Sequence, residues 1–342
     1  MNLRKLAEQL GLSQTTVSRA LNGYPEVSEK TRERVRKAAL DFNYKPNTRA
    51  RSLATGKAMA IGHVIPVSTQ QEMVNPIFGD FVTGAGEVYS ENGYDMLLSL
   101  VSDSDEENFY RDLKIKGTVD GIVMHSPSMD DWRIDLLNEL RLPYVVHGRA
   151  SSVTAPYSWV DVANATAFEA MTGHLTSLGH RRIALINGIE SLDFAHRRRR
   201  GFLNALKDAG LEADPALMAS SDMTESLGFD EASRMLALDN PPTAFAVSSL
   251  ITALGVRRAI EQAGLTVGRE VSVATFDDDL SYLRNGTLEA PVFSAVRSSV
   301  REAGRRVGSI LLSRISDPLA PPTSEMIPFH LVAGTTTGPA PT

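Results

Sequence analysis

Residues 6–23 read LAEQLGLSQTTVSRALNG, and this stretch decides how the chain begins to fold. Leu3, Leu6, Ala7 and Leu10 recur at i, i+3, i+4 and i+7, the spacing of one buried helix face. Gly11 stops that helix, as glycine does just past a helix end, and Ser13 is placed to cap the next one. Val17, Ala20 and Leu21 supply the inner face of a second short helix, which Asn22-Gly23 ends. Ser28 caps a third helix, in which Val35, Ala38, Ala39 and Phe42 repeat the spacing. Three short helices joined by tight turns predict a compact all-α unit with a helix-turn-helix at Gln9–Ser13.

With Val17, Ala20 and Leu21 turned inward, the outer face of the second helix carries Gln14, Thr15, Ser18 and Arg19. Arg fits guanine O6 and N7 in bidentate fashion, Gln fits adenine N6 and N7, and Thr meets a thymine methyl. A polar helix face alone is what any solvated helix shows, so charge has to separate the readings. Residues 1–57 hold twelve Lys/Arg against five Asp/Glu, a net +7, which leaves −13 for the remainder of a chain whose total is −6. A cationic trihelical head on an anionic body fits a nucleic acid, and the base-reading side chains point to DNA.

A length of 342 residues implies two or three domains, and 42% hydrophobic residues suffice for a sizeable core. There are no cysteines, which excludes disulfides, thiolate metal sites and cysteine nucleophiles. Residues 1–10 have no apolar secretory core, and no stretch approaches 18 apolar residues, so a soluble cytoplasmic protein with no membrane association is expected.

Lys45-Pro46-Asn47 breaks the third helix. Residues 47–57 hold good helix formers, too few for a stable helix alone, and only positive charge. Such a segment is expected to fold against an anion. Leu53 has two readings: a wedge inserted between base pairs from the minor groove, or a linker leucine packed on the next domain.

Beyond residue 58, strands and helices alternate. An apolar run at 60–67 is followed by helical patterns near 77–92, 105–116 and 131–139 and strands at 95–100, 121–125 and 144–147. The cycle restarts with helices near 164–178, 198–209, 226–237 and 251–263 and strands at 183–187, 217–220, 244–247 and 271–276. Two βα sets predict two lobes of parallel sheet, with a ligand in the cleft at the carboxyl ends of the strands.

Enzyme motifs are absent. Gly84-Ala85-Gly86 starts like a dinucleotide loop, but Tyr89 stands where the third glycine belongs and the segment reads as mid-helix. There is no Gly-Lys-Ser/Thr loop and no His-Glu-x-x-His. Asp277-Asp278-Asp279 reads as a strand-end loop whose first Asp faces a cleft, and His196–Arg200 as a helix start with one residue turned inward. No catalytic residue, metal or cofactor is expected.

The run from Leu6 to Ser13, Thr16 to Asn22, Val27-Ser28, Thr31-Arg32, Asn43 to Asn47 and Ser52-Leu53 resembles the lactose/galactose repressor family, and compatible order continues to about residue 338. The resemblance implies a headpiece (1–45), a hinge (46–57), a first lobe (58–158 and 293–318) and a second lobe (159–292 and 319–338) built like a periplasmic binding protein. It implies base reading by Gln14, Thr15 and Arg19, backbone contacts at Ser18 and Asn22, and a hinge helix with Asn47, Ala50 and Leu53, where Leu53 is the wedge. It implies a homodimer on a pseudo-palindromic operator, released or tightened by a small effector. Arg198 matches the family's effector-clamping arginine and Asp277 its accepting aspartate, a pair that suits a sugar or glycoside. Phe78, His125, His147, Arg149 and Trp159 fall where they could line the cleft. The chain departs from the pattern at Ser249-Leu250, where an Asn-Asp pair is usual, which leaves Ser249 as the pocket residue there. A purine-like corepressor on the same scaffold, or a sugar-binding protein or enzyme built on the two-lobed domain, are the alternatives.

Overall fold

The computed structural model describes residues 2–21, 23–44, 56–67, 75–287 and 289–341. The chain divides into two compact units, residues 1–59 and 60–342.

The first unit has three helices, α1 (Leu3–Leu10), α2 (Gln14–Leu21) and α3 (Glu29–Asp41). Each start is capped by a side chain: the amides of Lys5, Thr16 and Thr31 donate to Asn2, Ser13 and Ser28. Gly11 takes the left-handed conformation, φ 62°, that closes α1 and turns the chain into α2. Leu6, Leu10, Val17, Ala20, Val27, Val35, Ala38 and Ala39 form the core, with Leu21 only partly buried beside it. Arg34 donates to the Leu10 carbonyl at 2.8 Å, tying α3 to the end of α1. Phe42 departs from expectation and is 44% exposed. The helix stops at Asp41 and Asn43 turns left-handed at φ 47°, so the periodicity no longer applies and Tyr44 packs on the core instead.

The second unit is two parallel sheets. The first joins β1 (Ala60–Pro66), β2 (Asp95–Val101), β3 (Gly121–Met124), β4 (Tyr144–His147), β5 (Trp159–Val162) and β11 (Ser324–Ile327) in the order β11-β5-β4-β3-β1-β2. The second joins β6 (Ile183–Asn187), β7 (Met218–Ser220), β8 (Ala244–Val247), β9 (Ser272–Asp277), β10 (Ser294–Arg297) and β12 (His330–Val332) in the order β12-β10-β9-β8-β6-β7, with only β12 antiparallel among the pairings of the described residues. Helices α4 (Pro76–Glu91), α5 (Glu106–Lys116) and α6 (Trp132–Glu139) belong to the first lobe. Helices α7 (Asn164–Ser177), α8 (Asp193–Asp208), α9 (Glu225–Leu236) and α10 (Leu250–Gln262) belong to the second, and α11 (Val300–Ser316) packs back on the first. Helix α8 starts five residues before its expected position, with Asp193 in its first turn bonded to Arg197.

The expected lobe boundaries need correction. Strand β5 pairs with β4, with His147 opposite Val160, so the first lobe runs through residue 162 rather than 158. Strand β10 pairs with β9, with Ala295 opposite Thr275, so the second lobe runs through 297 rather than 292. Strand β11 returns to β5, so the chain leaves the first lobe after 327 rather than 318. These strands are four residues or shorter, too short for hydrophobic period to place them.

Helices α4 and α11 cross backbone to backbone. A Cβ on Gly84 would lie 2.0 Å from the Arg301 carbonyl oxygen, and one on Gly304 2.1 Å from that of Phe81. Gly84 thus serves helix packing, and Gly86 does not. Gly84→Ala is expected to cost at least about 1–3 kcal/mol through overpacking. Gly86→Ala, whose Cβ would meet only Met96 at 3.9 Å, should be neutral or stabilise by up to about 1 kcal/mol. Melting temperatures of the two variants check this; equal shifts would refute it.

Candidate nucleic-acid interface and ligand cavity

Helix α2 buries Val17 and Ala20 and exposes Gln14, Thr15 and Arg19, with Ser18 half-buried between them. Arg19 makes no ion pair among the described residues, so its guanidinium is available to a partner. Asn22, Asn47, Ala50 and Leu53 lie outside the described residues.

In the second unit a cavity of about 360 Å³ opens between the lobes, at the carboxyl ends of the strands. The first lobe contributes Phe78 and Phe81 from α4, His125 and His147 at the ends of β3 and β4, and Arg149 just beyond. The second contributes Arg198 from α8 and Phe276 and Asp278 from the end of β9.

Arg198 is buried at 6% exposure. Its Nε donates to Asn164 Oδ1 at 2.8 Å and its Nη1 to the Ser248 carbonyl at 2.6 Å. The guanidinium stands 4.1 Å from the Phe276 ring centre and 5.0 Å from that of Phe194. Burial lowers its pKa to about 10, which leaves it charged at neutral pH. Its Nη2 has no hydrogen-bond partner among the described residues and is left for a ligand. Two residues of the His196–Arg200 run turn inward rather than one: Arg197 is buried as well, bonded to Asp161 at 2.7 Å and Asp193 at 2.5 Å. Asp161 also holds Arg149 at 2.9 Å, which fixes that side chain at the cavity wall.

Three expected contacts are corrected. The aspartate at the cavity is Asp278, not Asp277. Side chains alternate along the end of β9, so Phe276 and Asp278 share the cavity face, while Asp277 turns away to accept from the Asp279 amide and lie 3.8 Å from Arg297. Ser249 does not line the cavity but caps α10, accepting from the Thr252 amide. Trp159 is also absent from the cavity wall; its ring centre lies 5.0 Å from the Arg149 guanidinium, behind it. Asn164, Asp278, Phe81 and Phe276 were not singled out from sequence; the Asp triplet marked the right loop, but its parity requires the strand end.

Burial pushes the Asp278 carboxyl up to about 7, partly offset by the Arg198 charge. The histidines titrate lower, His147 at about 4 and His125 well below its ordinary value, both through burial. Asp278 therefore changes charge between pH 6 and 8 while the neighbouring imidazoles stay neutral. A ligand whose hydroxyls donate to the carboxylate is expected to bind about tenfold more weakly at pH 6 than at pH 8. Asp278→Asn should flatten that profile, measured by calorimetry; an unchanged slope would remove Asp278 from the site. In stability, a carboxyl raised on folding contributes most at low pH and loses that contribution as pH climbs from its unfolded value through 7.

A trihelical head with a bare polar helix and a two-lobed body with a closed-in cavity define a helix-turn-helix transcriptional regulator. Residues 2–47 match the model described as bacterial regulatory proteins, lacI family, and residues 172–337 that of a periplasmic binding protein-like domain. The chain is 43% identical over 341 residues to the HTH-type transcriptional regulator AglR of Rhizobium meliloti (strain 1021), covering 100% of this chain and 95% of that one. Among solved structures it resembles the lac repressor dimer bound to operator and the anti-inducer ONPF, with TM-score 0.82, 25% identity and 99% of both chains covered. It also resembles the transcriptional regulator CelR in complex with cellobiose, with TM-score 0.72, 27% identity and 98% and 99% of the two chains covered. The chain belongs to the lacI family of bacterial regulatory proteins.

Proposed function

We propose that the chain is a repressor whose affinity for operator DNA is set by a sugar or glycoside held between the lobes. The observation that carries this reading is the presence of both Arg198 and Asp278 on the wall of a cavity that aromatic rings also line. The Nη2 of Arg198 offers a charged donor, Asp278 an acceptor, and Phe78, Phe81 and Phe276 contribute apolar wall. A pyranose has hydroxyls for the polar pair and an apolar ring face for the aromatics. The complex of CelR with cellobiose supports the class of ligand. We read the chain as a binding protein that does not turn its ligand over, acting in the cytoplasm, where operators are.

Gln14, Thr15 and Arg19 read base edges, with Ser18 beside them; Asn22, Asn47, Ala50 and Leu53 carry the backbone and hinge roles implied by resemblance. The working unit is a homodimer on a pseudo-palindrome. Edge strand β2 supports pairing, since Leu97, Leu98 and Leu100 are 37%, 40% and 52% exposed on it. A single-chain mass by light scattering at micromolar concentration would overturn the dimer.

The test is a thermal-shift screen of mono- and disaccharides followed by operator gel shifts. A ligand at a hundred times its Kd adds about 2.7 kcal/mol of stability. The expected result is a sugar that raises the melting point and changes operator affinity. A nucleobase that does so while every sugar fails would overturn the ligand class.

A further inference from the structure

Behind the cavity wall lies a chain of three buried side chains, two of which are remote from any ligand. His63 sits in the middle of β1 and is fully buried, and Tyr89 on α4 is 1% exposed. His63 Nδ1 lies 3.0 Å from His125 Nε2, and the Tyr89 hydroxyl lies 3.3 Å from His63 Nε2. His125 lines the cavity, and its Nδ1 has no hydrogen-bond partner among the described residues.

Counting protons fixes the direction of this chain. Burial holds His63 at about 3 and His125 well below its ordinary value, so each imidazole is neutral and carries one N–H. Two links join three groups that own one proton each. In one direction Tyr89 donates to His63 Nε2, His63 Nδ1–H donates to His125 Nε2, and His125 keeps its own proton on Nδ1. In the other, His125 Nε2–H donates to His63, His63 Nε2–H donates to the Tyr89 oxygen, and the Tyr89 proton has nowhere to go. The hydroxyl has no second partner among the described residues, and a buried, unspent donor suppresses the second arrangement roughly five- to hundredfold.

We propose that Tyr89 and His63 are positioning residues that hold His125 as its Nδ1–H tautomer, so that the cavity meets a neutral donor there and selects a ligand with an acceptor oxygen at that point. The tautomer of an imidazole is set by the bond its other nitrogen makes, and here that bond reaches back to a tyrosine on another element. This inference rests on the reading of the interlobe cavity as the ligand site and adds a third fixed polar contact, from the first lobe, to Arg198 and Asp278 from the second. An ammonium or another donor-only group meets N–H at that point and is rejected.

Long-range proton–nitrogen spectra of the ligand-free full chain, labelled with ¹⁵N-histidine, test it. Signals of His125 are identified by their loss in His125→Gln. The expected result is protonated Nδ1 and bare Nε2 in both His63 and His125. In Tyr89→Phe the two directions become nearly equal, and His125 Nδ1 shifts toward the bare-nitrogen position. Cellobiose, as the probe ligand, should bind the Tyr89→Phe variant about twofold more weakly, because about half the molecules then hold the competent tautomer. Protonated Nε2 on His125 in the unsubstituted chain overturns the proposal, as does a His125 spectrum that Tyr89→Phe leaves unchanged. Because the spectrum needs no ligand, a cavity that refuses cellobiose would count against the ligand class and leave the tautomer assignment standing.

Discussion

Arg198→Ala is expected to abolish the response to effector while leaving operator binding intact. The side chain makes a bond to Asn164, a bond to Ser248 and a stack on Phe276, and still has Nη2 for the ligand. A hydrogen bond to a charged group contributes about 1.5–3 kcal/mol. The substitution has a second effect at Asp278. The Arg198 charge restrains that carboxyl, which burial has already raised to about 7, and without it the acid is neutral at physiological pH and stops accepting in full. Together these losses should weaken effector binding at least about a hundredfold. Arg198→Lys should not restore it, because an ammonium lacks the planar fork that serves Asn164, Ser248 and the ligand at once. Calorimetry with the effector and gel shifts with operator check both halves. A variant that still responds at the same effector concentration would remove Arg198 from the site.

Arg19→Ala is expected to cost about 1–3 kcal/mol at the operator and to relax preference at one base pair. The side chain is exposed on α2 and makes no ion pair among the described residues, so its loss leaves the core of Leu6, Val17 and Val35 untouched. A base contact and a phosphate contact differ in signature. Loss of a base contact narrows the gap between operator and scrambled duplex, whereas loss of a phosphate contact weakens both alike and lowers the salt slope by about one. Binding to both duplexes across a salt series separates the two. Equal losses on both would reassign Arg19 to the backbone.

The head was legible because its signals are local. Gly11, Ser13 and Ser28 mark helix ends through their own backbone and side chains, and they sit where the sequence places them. Phe42 was misplaced by one residue beyond a helix end, where periodicity stops. The lobes were legible as a βα rhythm, but not β5, β10, β11 and β12, which are three or four residues long and owe their sheet membership to pairing with other strands. In the cavity, Arg198 followed from its motif. Asp278 did not, because choosing between adjacent aspartates needs the parity of β9. His63 is one polar residue in an apolar strand, and only the pairing of β1 with β3 brings it to His125, 62 positions away.

The return of α11 and β11 to the first lobe has a consequence during synthesis. Residues 163–297 supply five of the six strands of the second sheet without interruption, so that part can assemble as soon as it leaves the ribosome. The first lobe, although its strands begin to emerge before those of the second, cannot close until α11 and β11 arrive. Phe81 and Tyr89 wait for Val300, Val307 and Leu311, which emerge about 200 residues later, roughly 10–40 s at ordinary elongation rates. During that interval the nascent chain carries an uncovered apolar helix, and trigger-type chaperones that hold such surfaces should matter more for the yield of this protein than for its final stability.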